Sequence, residues 1–208
     1  MNHHRTSCTL MAVLSILCVA SSAKAQAWKP YTFKGSEHFK YAIKSIKSGE
    51  EKSGFFTLDI EKKGEDKYKV SFSSVLGENE ASSSTTTTAD ELPGKIIMSL
   101  MMSGSEAGSV LGATLFTPML GMMFMGMGAA DLEVGSGWSR TEEGKKVSFK
   151  IEAKENIAGH EGYRCVFREG DNVKYLQVIA PDIGLPLKTE VVDDDGSRYI
   201  SELVEFKK

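Results

Sequence analysis

Cysteine is scarce in this chain. Three occur in 208 residues, and two of them, Cys8 and Cys18, fall within the first 25. Those 25 residues have the pattern of a cleaved secretory signal. Arg5 supplies positive charge, Leu10 to Ala20 is apolar, and Ala23-Lys24-Ala25 is a small-x-small site. The apolar core is too short for a spanning helix. Leu17 stands before Cys18 where a lipoprotein signal carries a small residue, so lipidation is not expected. Cleavage leaves one domain, residues 26–208, with Cys165 as its sole thiol and no intrachain disulfide. An exported domain without that staple must be held by core burial. Cys165 lies in a strand pattern and reads as a small buried residue.

Catalytic and metal-binding signatures are missing as well. There is no Gly-x-Ser-x-Gly, no His-Glu-x-x-His and no phosphate-cradling glycine loop, so no enzyme activity is expected. His38 and His160 are the only histidines after residue 25, and they lie in separate strand regions. Methionine sulfur suits Cu(I). Here, however, the methionines sit among Leu, Ile and Phe without histidine, so no metal and no cofactor are expected. Asp193-Asp194-Asp195 lacks the glutamate-terminated loop of a calcium-binding EF-hand and reads as a solvated turn. Nor is there an excess of base. Losing Arg5 and Lys24 leaves 23 basic against 28 acidic residues, a net charge of −5. No basic stripe interleaves with aromatics, so no nucleic-acid partner is expected.

Charge itself is missing from one long run. The 24 residues 107–130 carry none. They lie in the stretch from Lys95 to Ala130, which holds all eight methionines found after residue 25. Pro118 interrupts the run, and Gly104, Gly108 and Gly112 recur every fourth residue. On a helix that spacing makes a smooth ridge. The pattern predicts two helices, about 92–104 and 107–127, with Asp90 as the first N-cap and a bend near Pro118.

What surrounds this insert alternates with period two. Phe39, Tyr41 and Ile43 share one face, then Phe56, Leu58 and Ile60, then Tyr68, Val70 and Phe72. Val147, Phe149, Ile151 and Ala153 repeat the pattern, as do Tyr163, Cys165 and Phe167. Runs at 173–180, 185–192 and 197–206 follow, separated by Glu169-Gly170-Asp171-Asn172, Pro181-Asp182-Ile183-Gly184 and Asp193-Asp194-Asp195-Gly196. Such alternation marks half-buried antiparallel strands. SGEEKSG and KKGED read as the breaks between the early strands, and ASSSTTTTA (81–89) as an edge strand or linker. Eight to ten strands around one apolar insert predict an α+β, mainly β fold: a curved antiparallel sheet or unclosed β-barrel wrapped over the helices at about 92–130.

The segments Asn156-Ile157-Ala158-Gly159-His160-Glu161-Gly162-Tyr163-Arg164-Cys165 and Pro181-Asp182-Ile183-Gly184-Leu185-Pro186-Leu187-Lys188, with the final Tyr199 to Phe206 strand, resemble the C-terminal half of LolA/LolB-like periplasmic proteins and related exported families. The resemblance covers about 50 residues. It implies an unclosed barrel with a helical lid, holding lipid or the acyl chains of lipoproteins. This insert differs from a typical lid in being longer, richer in methionine and less charged.

The insert has three readings. Its methionines fill an irregular core, or line an adaptable apolar cavity, or contact a membrane, since 24 helical residues reach about 36 Å. Pro118 and five glycines in the run weaken a spanning helix. The candidate ligand-binding residues are Met98, Met101, Met102, Leu111, Leu115, Phe116, Met119, Met122, Met123 and Phe124; Gly104, Gly108, Gly112 and Pro118 are candidate hinges. The expected function is a periplasmic, non-enzymatic protein that binds or carries a lipid, an acyl chain or another apolar envelope component. The expected partner is a lipid or an acylated protein. The alternative is an envelope structural protein whose 95–130 insert docks in a membrane or a partner, with outer-membrane association.

Overall fold

The computed structural model describes residues 26–27, 32–101, 106–116 and 131–208. The signal-like segment 1–25 lies outside them. The described chain is mainly β. A short pair, β1 (Gln26–Ala27) and β6 (Asp131–Leu132), stands apart from a ten-stranded antiparallel sheet. In chain order its strands are β2 (Ser36–Lys47), β3 (Glu50–Lys62), β4 (Lys67–Leu76), β5 (Asn79–Thr88), β7 (Gly137–Glu142), β8 (Lys145–Ile157), β9 (His160–Glu169), β10 (Asn172–Ile179), β11 (Lys188–Val192) and β12 (Arg198–Lys207). The spatial order is β5-β4-β3-β2-β12-β11-β10-β9-β8-β7, so the sheet does not close into a barrel. Two meanders run outward from a central seam, where β12 pairs with β2.

The turns explain where the strand boundaries move from their expected places. SGEEKSG is not a seven-residue break. β2 and β3 pair up to Lys47 opposite Glu50, leaving a two-residue turn. Ser48 and Gly49 both take positive φ, 50° and 84°, the backbone of a type I′ hairpin. Ala158-Gly159 repeats this between β8 and β9, and Glu143-Gly144 between β7 and β8. KKGED likewise shrinks, because β3 runs on to Lys62. ASSSTTTTA settles as most of β5, the edge strand beside β4. Its threonines pair residue for residue with β4, where their branched carbons suit the pleat.

The sheet presents one face to the helical elements α1 (Leu92–Met101) and α2 (Glu106–Leu111) and to a π-helical turn, Gly112–Phe116. α1 lies against β5; α2 lies against β2, β4, β5 and β12; the π-turn lies against β11 and β12. Leu92 and Ile96, one turn apart, are buried from α1, and Ala107, Val110 and Leu111 from α2. The N-cap is Glu91 rather than Asp90, because the Glu91 carbonyl accepts the Lys95 amide at 2.9 Å. Asp90 instead accepts the Thr88 hydroxyl. The expected helix over 107–127 begins at Glu106 and leaves α-geometry at Gly112. A physical cause is at hand: Thr114 Oγ1 donates to the Val110 carbonyl at 2.8 Å, competing for the acceptor four residues back. Residues 102–105 and 117–130 lie outside the described set.

One glycine inside the sheet is fixed by contact rather than by φ. A Cβ on Gly54 in β3 would stand 1.8 Å from the Val75 carbonyl oxygen and 2.9 Å from Leu76 Cα. Strands β3 and β4 close to this distance only because no side chain is present. Gly54→Ala is expected to force the two strands apart and to lower stability by about 2 kcal/mol or more. Urea unfolding monitored by circular dichroism measures this, and a midpoint within error of the parent would refute it.

Candidate functional site

Pairing register assigns the side chains of the covered face. Gly54, Ile43, Ser201, Thr189, Gln177, Cys165 and Ile151 stand opposite one another in successive strand pairs. Residues two along each strand share that face. A neighbouring row therefore runs Ser45, Tyr199, Val191, Tyr175, Phe167, Phe149 and Trp138.

Along these rows the apolar lining separates into two clusters. The larger is centred on β2, β3 and β4, with Phe39, Tyr41, Ile43, Phe56, Leu58, Val70 and Leu203 packed against Leu92, Ile96, Val110 and Leu111. The smaller holds Leu132, Phe149, Ile151, Cys165 and Ile179, flanked by Trp138, Tyr163 and Phe167. Its rings stack on one another. Phe167 lies 4.9 Å from Tyr175 at an interplanar angle of 6°, and Trp138 meets Phe149 at 6.3 Å. Phe and Trp here carry the burial, and the ring pairs add about 0.5–1.5 kcal/mol each.

Between the clusters lies a polar band. Ser201, Thr189 and Gln177 are each 0 % exposed and sit side by side on β12, β11 and β10. The π-turn covers β11 and β12 here, and its Thr114 is also fully buried. Hydrogen bonding within the band is thin. Gln177 Nε2 reaches Thr189 Oγ1 at 3.5 Å, a long contact. Gln177 Oε1, Ser201 Oγ and Tyr175 Oη are buried without a partner among the described residues, as is Trp138 Nε1 in the adjoining cluster. An unsatisfied buried polar group costs about 1–3 kcal/mol, so such a concentration calls for a reason.

At the level of the polar band the charged groups of β11 and β12 keep to the other side of these strands, whereas Lys47 and Lys52 at the far end of β2 and β3 share the covered face. Lys188 pairs with Glu202, Arg198 with Glu190, and Lys44 with Glu51 at 2.8 Å. One ion pair ties the cover to the sheet: Lys52 Nζ on β3 donates to Glu106 Oε2 at 3.0 Å. Glu106 opens α2, where a carboxylate also suits the helix N-terminus. The hydrogen bond that Lys52 donates to the Glu106 carboxylate raises the pKa of its ammonium above the ordinary range.

The sequence-predicted residues distribute unevenly. Leu111 is buried in the larger cluster, whereas Met98 is 52 % exposed on α1. Gly108 lies within α2, and Gly112 opens the π-turn, where an added Cβ would meet nothing within 4 Å. Met101, Leu115 and Phe116 lie on described backbone with side chains outside the described set. Met102, Gly104, Pro118, Met119, Met122, Met123 and Phe124 lie outside the described residues altogether. No helix among the described residues is long and apolar enough to cross a membrane. Gln177, Thr189 and Ser201 were not foreseen. The signal was available, since each is a polar residue at an inward position of an otherwise apolar alternation.

No family model and no curated protein matches the sequence. Among solved structures, the MucA/MucB complex of Pseudomonas aeruginosa aligns with 83 % of this chain at 11 % identity and a TM-score of 0.36. This chain spans about half, 52 %, of that one. A protein assigned as a lipoprotein from Parabacteroides distasonis aligns over 86 % of this chain and 99 % of its own, at 13 % identity and a TM-score of 0.34. A domain assigned as an outer membrane lipoprotein-sorting protein from Vibrio parahaemolyticus covers 83 % and 85 % at 10 % identity, with a TM-score of 0.26.

Cys165 belongs to the smaller cluster, 1 % exposed, its thiol 3.6 Å from the Tyr163 carbonyl. Burial pushes the thiol up to about 12. The folded protein then keeps this proton while the unfolded chain gives it up, so the site loses stability as pH rises above the ordinary thiol range. At pH 8 the thiolate fraction is on the order of 10⁻⁴, against the tenths of a free cysteine. Iodoacetamide at pH 8 is expected to leave the native thiol unmodified over hours and to alkylate it within minutes in urea. Fast native alkylation, read by intact mass, would show the cluster to be open.

Proposed function

We propose that this is an exported, non-enzymatic protein that binds or carries an apolar molecule, a lipid or an acyl chain, on the covered face of its open sheet. The observation that carries the reading is how that face is covered. Among the described residues, the apolar face of the ten-stranded sheet is met by α1, α2 and a π-turn. Over the described residues α1 spans ten residues and α2 six, lengths at which a helix does not hold itself in water. Their place therefore depends on packing against the sheet, and that packing is open to competition from another apolar surface. An alkyl chain on the sheet gains about 0.8 kcal/mol per buried methylene, so a long chain binds firmly without polar recognition.

The carrier works by exchange in this reading. Leu92, Ile96, Val110 and Leu111 occupy the sheet when no cargo is present, and cargo takes part of that surface when it binds. π-Helical turns are rare and concentrate where a helix yields, which suits Gly112–Phe116 as the point of movement. The periplasm is the compartment that the signal-like segment implies. Lipid or an acylated protein is the partner class.

Hydrogen exchange tests the exchange of covers. Amides of 92–101 and 106–116 are expected to exchange faster than those of β8 to β12 in the ligand-free protein. Adding monoolein micelles is expected to change the exchange of the helical segments at least several-fold while the strands stay protected. Helical amides as slow as the strands, and indifferent to lipid, would make these helices permanent core. Resistance of the protein to carbonate extraction from its own envelope would favour membrane docking instead.

A further inference from the structure

We infer that the Gln177–Thr189–Ser201 row, with Tyr175 two residues along β10, is a binding site for a neutral hydrogen-bonding group set within an apolar chain: an ester, an amide or a hydroxyl flanked by aliphatic segments. The inference rests on the carrier reading and names its ligand class.

Three observations lead to it. First, the polar atoms are on the covered face and have no hydrogen-bond partner among the described residues. Gln177 Oε1, Ser201 Oγ and Tyr175 Oη are buried and unsatisfied, and Gln177 and Ser201 are 0 % exposed. Core polar groups of this kind are normally paired, so an unpaired set on one face fits an acceptor and donors available to a ligand that displaces the π-turn above them. Second, on the covered face the row is flanked by Ile43 and Leu203 of the larger cluster on one side and by Cys165 and Ile151 of the smaller on the other. A ligand with its polar group in the middle and aliphatic chain on either side matches that order, whereas a chain with its head at one end leaves one cluster unused. Third, the row itself offers no countercharge, and Lys52, a cation one row along the covered face in register, is paired with Glu106. The ionic side chains of β10, β11 and β12 at this level, Lys188, Glu190, Arg198 and Glu202, stand on the opposite face and are paired with one another. A carboxylate or phosphate would be buried unpaired, which excludes an anionic head at this position.

The chemistry of the row fits an ester or amide. Ser201 and Tyr175 can each donate a hydroxyl proton to a carbonyl oxygen, and Gln177 Oε1 can accept from an amide N–H or a hydroxyl. Thr189 orients the Gln177 amide through the contact at 3.5 Å.

The test uses two probes of similar chain length. Octyl octanoate has an ester at mid-chain, and hexadecane has none. Affinities are read by displacement of 1-aminoanthracene from the purified protein. The parent is expected to bind octyl octanoate at least about tenfold more tightly than hexadecane, since a site built to hydrogen-bond rejects the analogue that cannot. In Gln177→Met/Ser201→Ala the ratio is expected to fall towards one, with hexadecane binding retained. The same variant is expected to melt at or above the parent temperature, because apolar groups of similar size replace unpartnered polar ones. Ser201→Ala alone removes one oxygen and gives the same comparison with less risk to the fold. Equal affinities in the parent would overturn the inference while leaving an apolar carrier intact. An unchanged ratio in the variants with a lowered melting temperature would assign the row to internal water and overturn it too. Binding of neither probe would overturn both this inference and the carrier reading.

Discussion

One strand pairing holds the molecule together. Every neighbouring pair in the ten-stranded sheet joins consecutive strands except β2 with β12. That seam is long: it runs from Ile46 opposite Arg198 to His38 opposite Lys207, with a bulge between Leu203 and Glu205. Without it there are two meanders, each with a greasy face and no partner for it. With it, Tyr41 and Leu203 stand opposite each other in the larger cluster, and Phe39 packs on Phe206 at 4.8 Å. The local hairpins close at small entropic cost, while the seam must close a loop of most of the domain. Its stability therefore comes from apolar contact on the covered face, the same surface that the proposed cargo would use.

The hairpins were the legible part of the fold. Phe39, Tyr41 and Ile43 or Phe56, Leu58 and Ile60 declare their faces by alternation alone, and all six are buried. Turns were harder. Type I′ geometry needs two residues of positive φ, and Ser48-Gly49 supplied them inside a seven-residue polar stretch that read as a loop. β7 was not legible as a strand of its own, because Gly137–Glu142 is exposed at five of six positions and only Trp138 points to a packed face. The seam itself could not be read, since alternation gives a strand its face and says nothing about its partner.

The site was legible in a different way. Weight fell on methionine, because eight of them cluster in an uncharged insert and methionine adapts to varied apolar partners. Composition singles out what is concentrated. It passes over Gln177 between Leu176 and Val178, and Ser201 between Ile200 and Glu202, each unremarkable until its parity is counted. Counting parity from Tyr175 to Ile179 and from Tyr199 to Leu203 puts both on the buried face, which sequence alone allows. Knowing that they stand in one row with Thr189 requires the register, and the register requires the seam.

Polar residues beside a seam admit a structural purpose, and the atoms decide against it. A buried polar pair can fix register, because slippage would strand its hydrogen bonds. For that, the groups must bond to each other in the native register. Among the described residues Ser201 Oγ has no partner, and Gln177 spends its amide nitrogen on a long contact while its oxygen is left over. A one-residue slip of β12 would carry Ser201 to the charged face, where a hydroxyl is solvated, so the seryl group favours the slipped register if anything. What fixes register is apolar: Leu203 and Tyr199 would surface together with it. The band thus opposes the stability of the sheet it lies in. Rule-breaking residues of this kind, buried at a cost and unrewarded by their neighbours, are where a fold gives way to function.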